Sequence, residues 1–327
     1  MIDLIPAGKE HLETLIEHAA MRSALQQADT PQLSNQIAEN EFWRESLTGL
    51  IEIGSGMIAM ESDEIVGSML IIPCDAPFFG KLPGFFVPEY GWSAFGTRRL
   101  YVLEKLYTQL CQLSLEKRWM NQLIAVPAYD IGARQLLHDL GFANQVINAI
   151  ASIEFTSLRK MSAASEIILR PGDEDDSEMI RTLKIKLAQH LSASPTMLYL
   201  DINRMDNWLA DWLTQPGDVS IVAEYNGRLI GYLQAGNPRW DVSRMVHTDD
   251  DLAIFGAYLD EEHRGKGIFD AMLGKLCEIG KSMEKKRLSV DFESSNPTAR
   301  RYWLRHFSPI TYAMLRKVDE RVFESPS

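Results

Sequence analysis

The fold of this chain is decided at residues 262–268, which read EHRGKGI. They follow a continuously apolar run, Leu252 to Leu259, which predicts a strand buried on both faces. After them, apolar residues recur every three or four positions as far as Met283, which predicts an amphipathic helix. A strand that turns through two glycines into a helix presents backbone N–H groups at the positive end of a helix dipole. The stretch therefore predicts a site for a phosphate or pyrophosphate.

Two familiar phosphate-binding patterns do not fit this turn. A P-loop would need serine or threonine after Lys266 and a glycine at position 260, and the chain has Gly267 and Asp260 there. A dinucleotide-binding fingerprint would need a third glycine at position 270, where the chain has Asp270. The turn is therefore expected to bind a pyrophosphate of another kind of cofactor.

The turn resembles the Gln/Arg-x-x-Gly-x-Gly/Ala segment of the GNAT acetyltransferases at every position except the first, where Glu262 stands. Downstream, residues 296–303, NPTARRYW, are similar to the GNAT segment Asn-x-x-Ala followed by an aromatic pair. The resemblance covers nearly all of the second half of the chain in the order of its elements. It implies direct transfer of an acetyl group from acetyl-CoA to a primary amine, with no metal.

The resemblance also implies where acetyl-CoA binds. Pantetheine would lie between two strands that splay apart, hydrogen-bonded to the backbone around Tyr258 and Leu259. The side chain of Asn296 would reach the pantetheine arm. The pyrophosphate would be held by the turn itself, at His263, Arg264, Gly265, Lys266, Gly267, Ile268 and Phe269.

Acyl transfer to an amine needs a base that leaves the amine neutral. Glu293 is the predicted base, because it lies on the polar face of a strand with alternating character. Asp291 on the same face, and Asp260 and Glu261 after the apolar strand, are alternatives, as is the titratable His306.

An acid that protonates the departing thiolate would assist the same reaction. In many GNAT enzymes this acid is a tyrosine four residues after the Ala of the Asn-x-x-Ala segment. Trp303 occupies that position here, and an indole N–H is not a usable acid. The neighbouring Tyr302 is therefore the predicted acid.

The chain repeats itself once, at a spacing of about 165 residues. The matching pairs are Ile5-Pro6 with Arg170-Pro171, Val66-Gly67 with Ile230-Gly231, and Ala133-Arg134 with Ala299-Arg300. The fold class is therefore α/β, with two tandem GNAT-like domains at 1–158 and 166–327. Each is predicted as a mixed, mostly antiparallel twisted sheet flanked by helices. Leu100 and Val102 replace the two glycines in the first copy, so that copy is expected to be a degenerate domain without the pyrophosphate turn.

Three further stretches carry expectations. Asp173 to Asp176 should begin a helix, because acidic residues favour a first turn. Asp249 to Asp251 should form a solvated loop. The segment Cys74 to Trp92, rich in proline, glycine and aromatic residues, has two interpretations. It either walls an acceptor site or pairs subunits, or it is a packed surface loop.

The composition limits which classes of binding partner are expected for this protein. A net charge of −12 over 327 residues disfavours nucleic acid, whose binding relies on Lys and Arg. Three cysteines without a pairing pattern, the early Asp3 and Pro6, and the lack of a long apolar run lead us to expect a cytoplasmic protein with no membrane partner. The predicted acceptor is a small-molecule amine, and a homodimer stays open. The alternatives are a non-catalytic acyl-CoA sensor or partner-binding module, and a peptide or protein N-acetyltransferase.

Overall fold

A computed structural model describes residues 1–76, 79–154, 158, 166–199, 216–239 and 243–323. Its first strands and helices are β1 (Asp3–Pro6), α1 (Leu12–Asp29), α2 (Asn40–Ile53), β2 (Gly56–Glu61), β3 (Glu64–Leu70), β4 (Ile72–Cys74), β5 (Gly84–Val87), β6 (Trp92–Ala94), α3 (Arg99–Lys117), β7 (Asn121–Pro127), α4 (Ile131–Asp139) and β8 (Ala143–Ser152). They are followed by β9 (Ile168–Pro171), α5 (Ser177–Ser192), β10 (Val219–Tyr225), β11 (Arg228–Gly236), β12 (Asp251–Leu259), α6 (Ile268–Ser282), β13 (Arg287–Glu293), α7 (Pro297–His306) and β14 (Ser308–Lys317). No helix in these ranges is long and apolar enough to cross a bilayer.

The chain forms two compact units. One comprises Met1–Asn148, Ser243–Met245 and Pro309–Ser327, and the other comprises Ala149–Val242 and Val246–Ser308. The division differs from the boundary drawn on the sequence, because β14 falls in the first unit although it comes last in the chain. Its placement follows from an antiparallel ladder with β7, which runs from Thr311 opposite Pro127 to Lys317 opposite Asn121. Residues 159–165, between the two predicted domains, lie outside the described residues.

The first unit contains two sets of paired strands, in the orders β1-β2-β3-β6 and β4-β5-β7-β14. The segment Cys74 to Trp92 contains β5 and reaches from the last residue of β4 to the first residue of β6. Phe85 is 0% exposed and Trp92 is 1% exposed, and both belong to the core of this unit. The described part of the segment is therefore packed, but as a core strand and not as a surface loop, and Pro77 and Phe78 lie outside the described residues.

The second unit has strands in the order β13-β12-β11-β10-β9. All neighbours run antiparallel except β12 and β13. Helix α5 lies on this sheet because its apolar stripe, with Ile180 and Leu183, packs against Val222, Tyr232 and Tyr258. The mixed, mostly antiparallel sheet flanked by helices matches the sequence prediction.

Strands β12 and β13 separate before either of them ends. Their parallel register runs from Asp251 opposite Arg287 to Ile254 opposite Val290. On its other side β12 stays paired with β11 as far as Leu259, with an irregularity that leaves Phe255 as an extra residue. Beyond Ile254 the two parallel strands therefore diverge, as the sequence resemblance implies.

The two acidic runs differ in their outcome. Asp173 caps the first helical turn by accepting a hydrogen bond from the backbone N–H of Asp175, as expected. The expectation of a solvated loop is wrong for Asp251, which is 0% exposed at the start of β12. Its carboxylate accepts a hydrogen bond from Arg287 Nε at 2.7 Å. The pairing of β12 with β13 buries both residues together, which a local sequence pattern does not reveal.

Candidate functional site

The glycine turn has the backbone shape that the sequence predicts. A short 3₁₀ helix, Glu261–His263, follows β12, and α6 begins at Ile268. Gly265 and Gly267 have φ angles of +76° and +79°, in the left-handed region that side chains disfavour. Gly267 is the N-cap of α6, and no side chain of the described residues caps this helix. Its first N–H groups are therefore available to an anion.

The turn faces a cavity of about 370 Å³, a size suited to part of a cofactor. The end of β12, the first turn of α6, one face of α7 and the C-terminal part of α5 all contribute to its wall. The lining residues are Leu187, His190, Ala257, Tyr258, Leu259, Arg264, Gly265, Gly267, Phe269, Asp270, Asn296, Thr298, Ala299, Arg301, Tyr302, Trp303 and Arg305. A Cβ placed on Gly265 would meet no heavy atom within 4 Å, so the space beside the turn is open.

The cavity wall is positively charged although the chain is acidic. Arg264, Arg301 and Arg305 line it, whereas the protein as a whole carries a net charge of −12. Arg264 is held in place because its Nε donates to the carbonyl of Leu259 at 2.9 Å. Clustered guanidinium groups beside an open helix N-terminus suit a ligand with several phosphate oxygens.

Most of the predicted cofactor residues meet at this cavity. Those that line it are Tyr258, Leu259, Arg264, Gly265, Gly267, Phe269 and Asn296. His263 and Lys266 line a different and larger cavity of about 1180 Å³. The side chain of Ile268 is buried in the core, 1% exposed, so only its backbone could serve an anion. The larger cavity contains neither turn glycine nor any residue of α7, so the features expected of a cofactor site belong to the smaller one.

Asn296 has a second task besides lining the cavity. Its Oδ1 accepts hydrogen bonds from the backbone N–H groups of Thr298 and Ala299, both at 3.2 Å, and so caps α7. The amide nitrogen of the same side chain is the group that can donate to a ligand.

Tyr302 and Trp303 both reach the cavity, and they differ in chemistry. The Tyr302 hydroxyl donates to Asp270 Oδ1 at 2.8 Å. Burial and the neighbouring carboxylate raise the pKa of Tyr302 well above its ordinary value. Trp303 is 5% exposed and packs edge-on against Phe269, with ring centroids 5.7 Å apart.

His306 packs against Tyr302, with ring centroids 5.0 Å apart, and does not line the cavity. Its Nε2 is 4.0 Å from Asp270 Oδ1, and burial lowers the pKa of its imidazole.

The candidate bases fall into different environments. Burial raises the pKa of Glu293, at the end of β13, although this residue is not part of the cavity wall. Asp260 is engaged by Lys186, whose Nζ lies 2.8 Å from Oδ1. Glu261 has a side chain that is 74% exposed and pairs with Arg264. Glu293 is therefore the candidate whose environment best suits a base, because a raised pKa makes a carboxylate more basic.

Sequence reasoning missed several wall residues. In the sequence analysis Asp270 appeared only as the residue that replaces the third glycine of a dinucleotide-binding fingerprint. In the structure Asp270 is 6% exposed and accepts a hydrogen bond from the Tyr302 hydroxyl. Arg301 and Arg305 carried a readable signal, since residues four apart share one face of a helix. His190 carried no signal, because α5 is brought to the cavity by tertiary packing alone. No cluster of three or more His, Cys, Asp or Glu able to hold a metal occurs in the described ranges.

The first unit has an ion pair where the repeat would place the corresponding site. Asp130 caps α4 by accepting from the N–H of Ala133, as Asn296 caps α7 in the second unit. The same carboxylate also binds Arg99, the first residue of α3, through two contacts of 2.8 Å. The residue that corresponds to Asn296 is thus engaged by an arginine of the protein itself in the first unit.

Comparisons with known proteins agree with this geometry. Residues 185–307 match the family model described as Acetyltransferase (GNAT) family. No curated protein matches the chain. A solved GCN5-related N-acetyltransferase from Sphaerobacter thermophilus is 12% identical, with a TM-score of 0.59 over 97% of this chain and 95% of that one. A tandem GNAT protein from the clavulanic acid biosynthesis pathway is 14% identical, with a TM-score of 0.51 over 96% and 98% of the two chains. Identities this low show a shared fold.

Proposed function

We propose that the chain is an acetyl-CoA-dependent N-acetyltransferase, because residues 185–307 match the GNAT family model and a solved tandem GNAT protein shares the fold of the chain. Its acceptor is the primary amine of a small molecule. The observation that carries this proposal is the uncapped N-terminus of α6, reached through two left-handed glycines, facing a cavity lined by the end of β12 and one face of α7.

The residues present fit acetyl-CoA. Backbone N–H groups at Gly265 to Phe269 would bind the pyrophosphate, helped by Arg264. The polar edge of β12 beyond Ile254, no longer paired with β13, would hold the pantetheine arm through backbone hydrogen bonds. The amide nitrogen of Asn296 would donate to the same arm.

In the proposed reaction the amine nitrogen attacks the thioester carbonyl carbon, forming the C–N bond. The C–S bond then breaks, and CoA leaves as a thiolate. Glu293 accepts the proton that the attacking amine must lose, and its raised pKa makes it a stronger base than an exposed glutamate. Because Glu293 is not in the cavity wall, we propose that it acts through one intervening water, a relay that general bases commonly use.

Tyr302 is proposed as a neutral hydroxyl beside the thiolate. Donating its proton would leave a tyrosinate next to the carboxylate of Asp270, 2.8 Å away, and like charges at that distance repel strongly. The thiolate of CoA is a tolerable leaving group, so catalysis can proceed without that donation. The raised pKa of Tyr302 supports this reading.

A second candidate function is a non-catalytic acyl-CoA sensor. The observation that favours it is Trp303, buried and packed at the position where many GNAT enzymes have the tyrosine acid. A sensor and an enzyme would bind acetyl-CoA alike, and only turnover separates them. Peptide or protein acetylation is a further alternative, distinguished by the acceptors that support turnover.

The test combines binding with turnover. Acetyl-CoA is titrated into the protein by calorimetry, and thiol release is then followed with a panel of small amines and with short peptides. Binding with amine-dependent thiol release supports the proposal. Thiol release with peptides alone favours a peptide or protein N-acetyltransferase. Binding without release favours the sensor, and no binding refutes both functions. Glu293→Gln should retain binding and lose most of the turnover.

A further inference from the structure

A row of buried polar groups crosses three strands of the second unit beside the cavity. Ser220 on β10 lies opposite Gln234 on β11, and Gln234 lies opposite Gly256 on β12. Residues directly opposite each other in antiparallel strands point to the same face of a sheet. Tyr232, two residues from Gln234, points to that face as well. We call Ser220, Tyr232 and Gln234 the polar row.

The polar row is fully buried and its hydrogen-bonding groups are not satisfied. Tyr232 and Gln234 are 0% exposed and Ser220 is 3% exposed. Among the described residues, none makes a hydrogen bond to the Tyr232 hydroxyl, the Ser220 hydroxyl or either amide atom of Gln234. Buried polar groups in folded proteins are nearly always hydrogen-bonded, so four such atoms in one row need a partner that is not among the described residues.

The row lies next to the cavity that holds the proposed reaction. Gly256, the partner of Gln234, is followed by the cavity residue Ala257. Tyr232 lies opposite Tyr258, which also lines the cavity. A Cβ on Gly256 would come within 3.0 Å of the Tyr232 ring and 3.3 Å of Gln234 Oε1, so a glycine at this position lets these two side chains lie close to β12.

The chemistry of the row limits what it can recognise. It contains no charged side chain, and burial raises the pKa of Tyr232, which keeps its hydroxyl neutral. A hydroxyl and a carboxamide both donate and accept hydrogen bonds. Such groups pair well with ligand hydroxyls, whereas a second cationic group on the ligand would find no counter-charge in the row.

Resting on the proposed function, we propose that the polar row recognises hydroxyl groups of the acceptor, and that the substrates are hydroxylated primary amines such as amino alcohols or amino sugars. The four polar atoms are shielded from solvent in this structure, so the acceptor reaches them by displacing side chains around Gln234. Satisfying the unpaired groups supplies the free energy for that displacement.

The experiment compares matched amines in the thiol-release assay. Ethanolamine, serinol and glucosamine are each paired with an amine of similar size in which methyl or methylene groups replace the hydroxyls. The wild-type protein should prefer the hydroxylated member of at least one pair by about tenfold or more in kcat/KM, because an unpaired buried polar group penalises the analogue. The same pairs are titrated by calorimetry into protein saturated with CoA.

Two variants test whether the preference for hydroxylated amines depends on the polar row. Tyr232→Phe and Gln234→Leu should reduce the preference to about twofold or less and leave the affinity for acetyl-CoA unchanged, since the lost pair is worth about tenfold. Their melting temperatures should equal or exceed that of the wild type, because each substitution removes an unsatisfied group. Tyr312→Phe, in the first unit, is the matched control and should keep the preference.

The two proposals fail in different ways. If the protein acetylates amines without preferring hydroxylated ones, or if both variants keep the preference, the inference about the polar row is overturned and the acetyltransferase stands. If the protein binds CoA but turns over no amine, hydroxyl-dependent binding in the calorimeter still supports the row, and its absence overturns it. A protein that binds no acetyl-CoA overturns both.

Discussion

Replacing Gly265 by alanine should weaken CoA binding, whereas the same replacement at Gly227 should leave CoA binding unchanged. Gly265 has a φ angle of +76°, and a Cβ added there meets no atom within 4 Å. Gly227, in the turn between β10 and β11, has a φ angle of +73° and equally open surroundings. The two glycines therefore form a matched pair, of which only Gly265 lines the cavity.

The expected magnitudes separate strain from lost contacts. An L-residue in the left-handed region costs about 1–2 kcal/mol, so Gly265→Ala and Gly227→Ala should destabilise the protein to a similar extent. At Gly265 the new methyl group also enters the space proposed for the pyrophosphate. Losing one hydrogen bond to a charged group costs about 1.5–3 kcal/mol. This corresponds to a rise in the Kd for CoA of about 10- to 150-fold.

The assay measures both quantities on both variants. Urea unfolding gives the free energy of unfolding, and calorimetric titration with CoA gives the Kd below the unfolding transition. The reasoning is refuted if the two variants bind CoA equally well, or if Gly265→Ala loses affinity only in proportion to a larger loss of stability.

Three further predictions concern named side chains. With Glu293 as the base, kcat/KM should rise with pH through a pKa above the ordinary glutamate range, and Glu293→Gln should abolish that limb of the profile. Arg287→Met should cost about 3–5 kcal/mol in urea unfolding, because it leaves the buried Asp251 carboxylate without its cationic partner. Lys286→Met, at a side chain that is 69% exposed, is its control and should cost less than about 0.5 kcal/mol. Asn296→Ser should preserve the cap of α7 and still weaken CoA binding, whereas Asn296→Ala should also lose about 1 kcal/mol of stability. Equal CoA affinity of Asn296→Ser and wild type would show that the amide nitrogen does not contact the cofactor.

Local sequence patterns were enough for much of the second half. A run of apolar residues from Leu252 to Leu259 became β12, and the helix after the glycine turn begins at Ile268 as the periodicity indicates. Gly265 and Gly267 adopt left-handed φ angles, which glycine favours wherever it occurs in a tight turn, so the two glycines in the sequence were enough to predict this backbone shape. The capping role of Asn296 is local for the same reason.

The duplication was also readable, because each copy repeats the same local signals. Asp130 and Asn296 cap corresponding helices in the two units. The loss of the glycines from the first copy indicated which unit keeps the turn through two left-handed glycines. The ion pair between Arg99 and Asp130 in the first unit depends on the folded chain.

Contacts between distant segments were decided by tertiary structure. The pairing of β14 with β7 places the end of the chain in the first unit, and no residue within Ser308–Lys317 encodes that partner by itself. Asp251 looked solvated because its neighbours Asp249 and Asp250 are acidic, yet strand pairing buries it against Arg287. The pattern of charge along a chain does not report which strand will lie beside it.

The sequence by itself determined the glycine turn and the duplicated α/β domains, because the turn is formed by adjacent residues and each copy repeats the same short local patterns. Only the tertiary structure brought Tyr302 to Asp270, set three arginines around one cavity and aligned Tyr232 and Gln234 beside Gly256. These arrangements depend on strand register and helix packing, which are fixed by the free energy of the whole fold. The glycine turn is thus encoded by adjacent residues, whereas the surroundings of the cavity depend on tertiary packing.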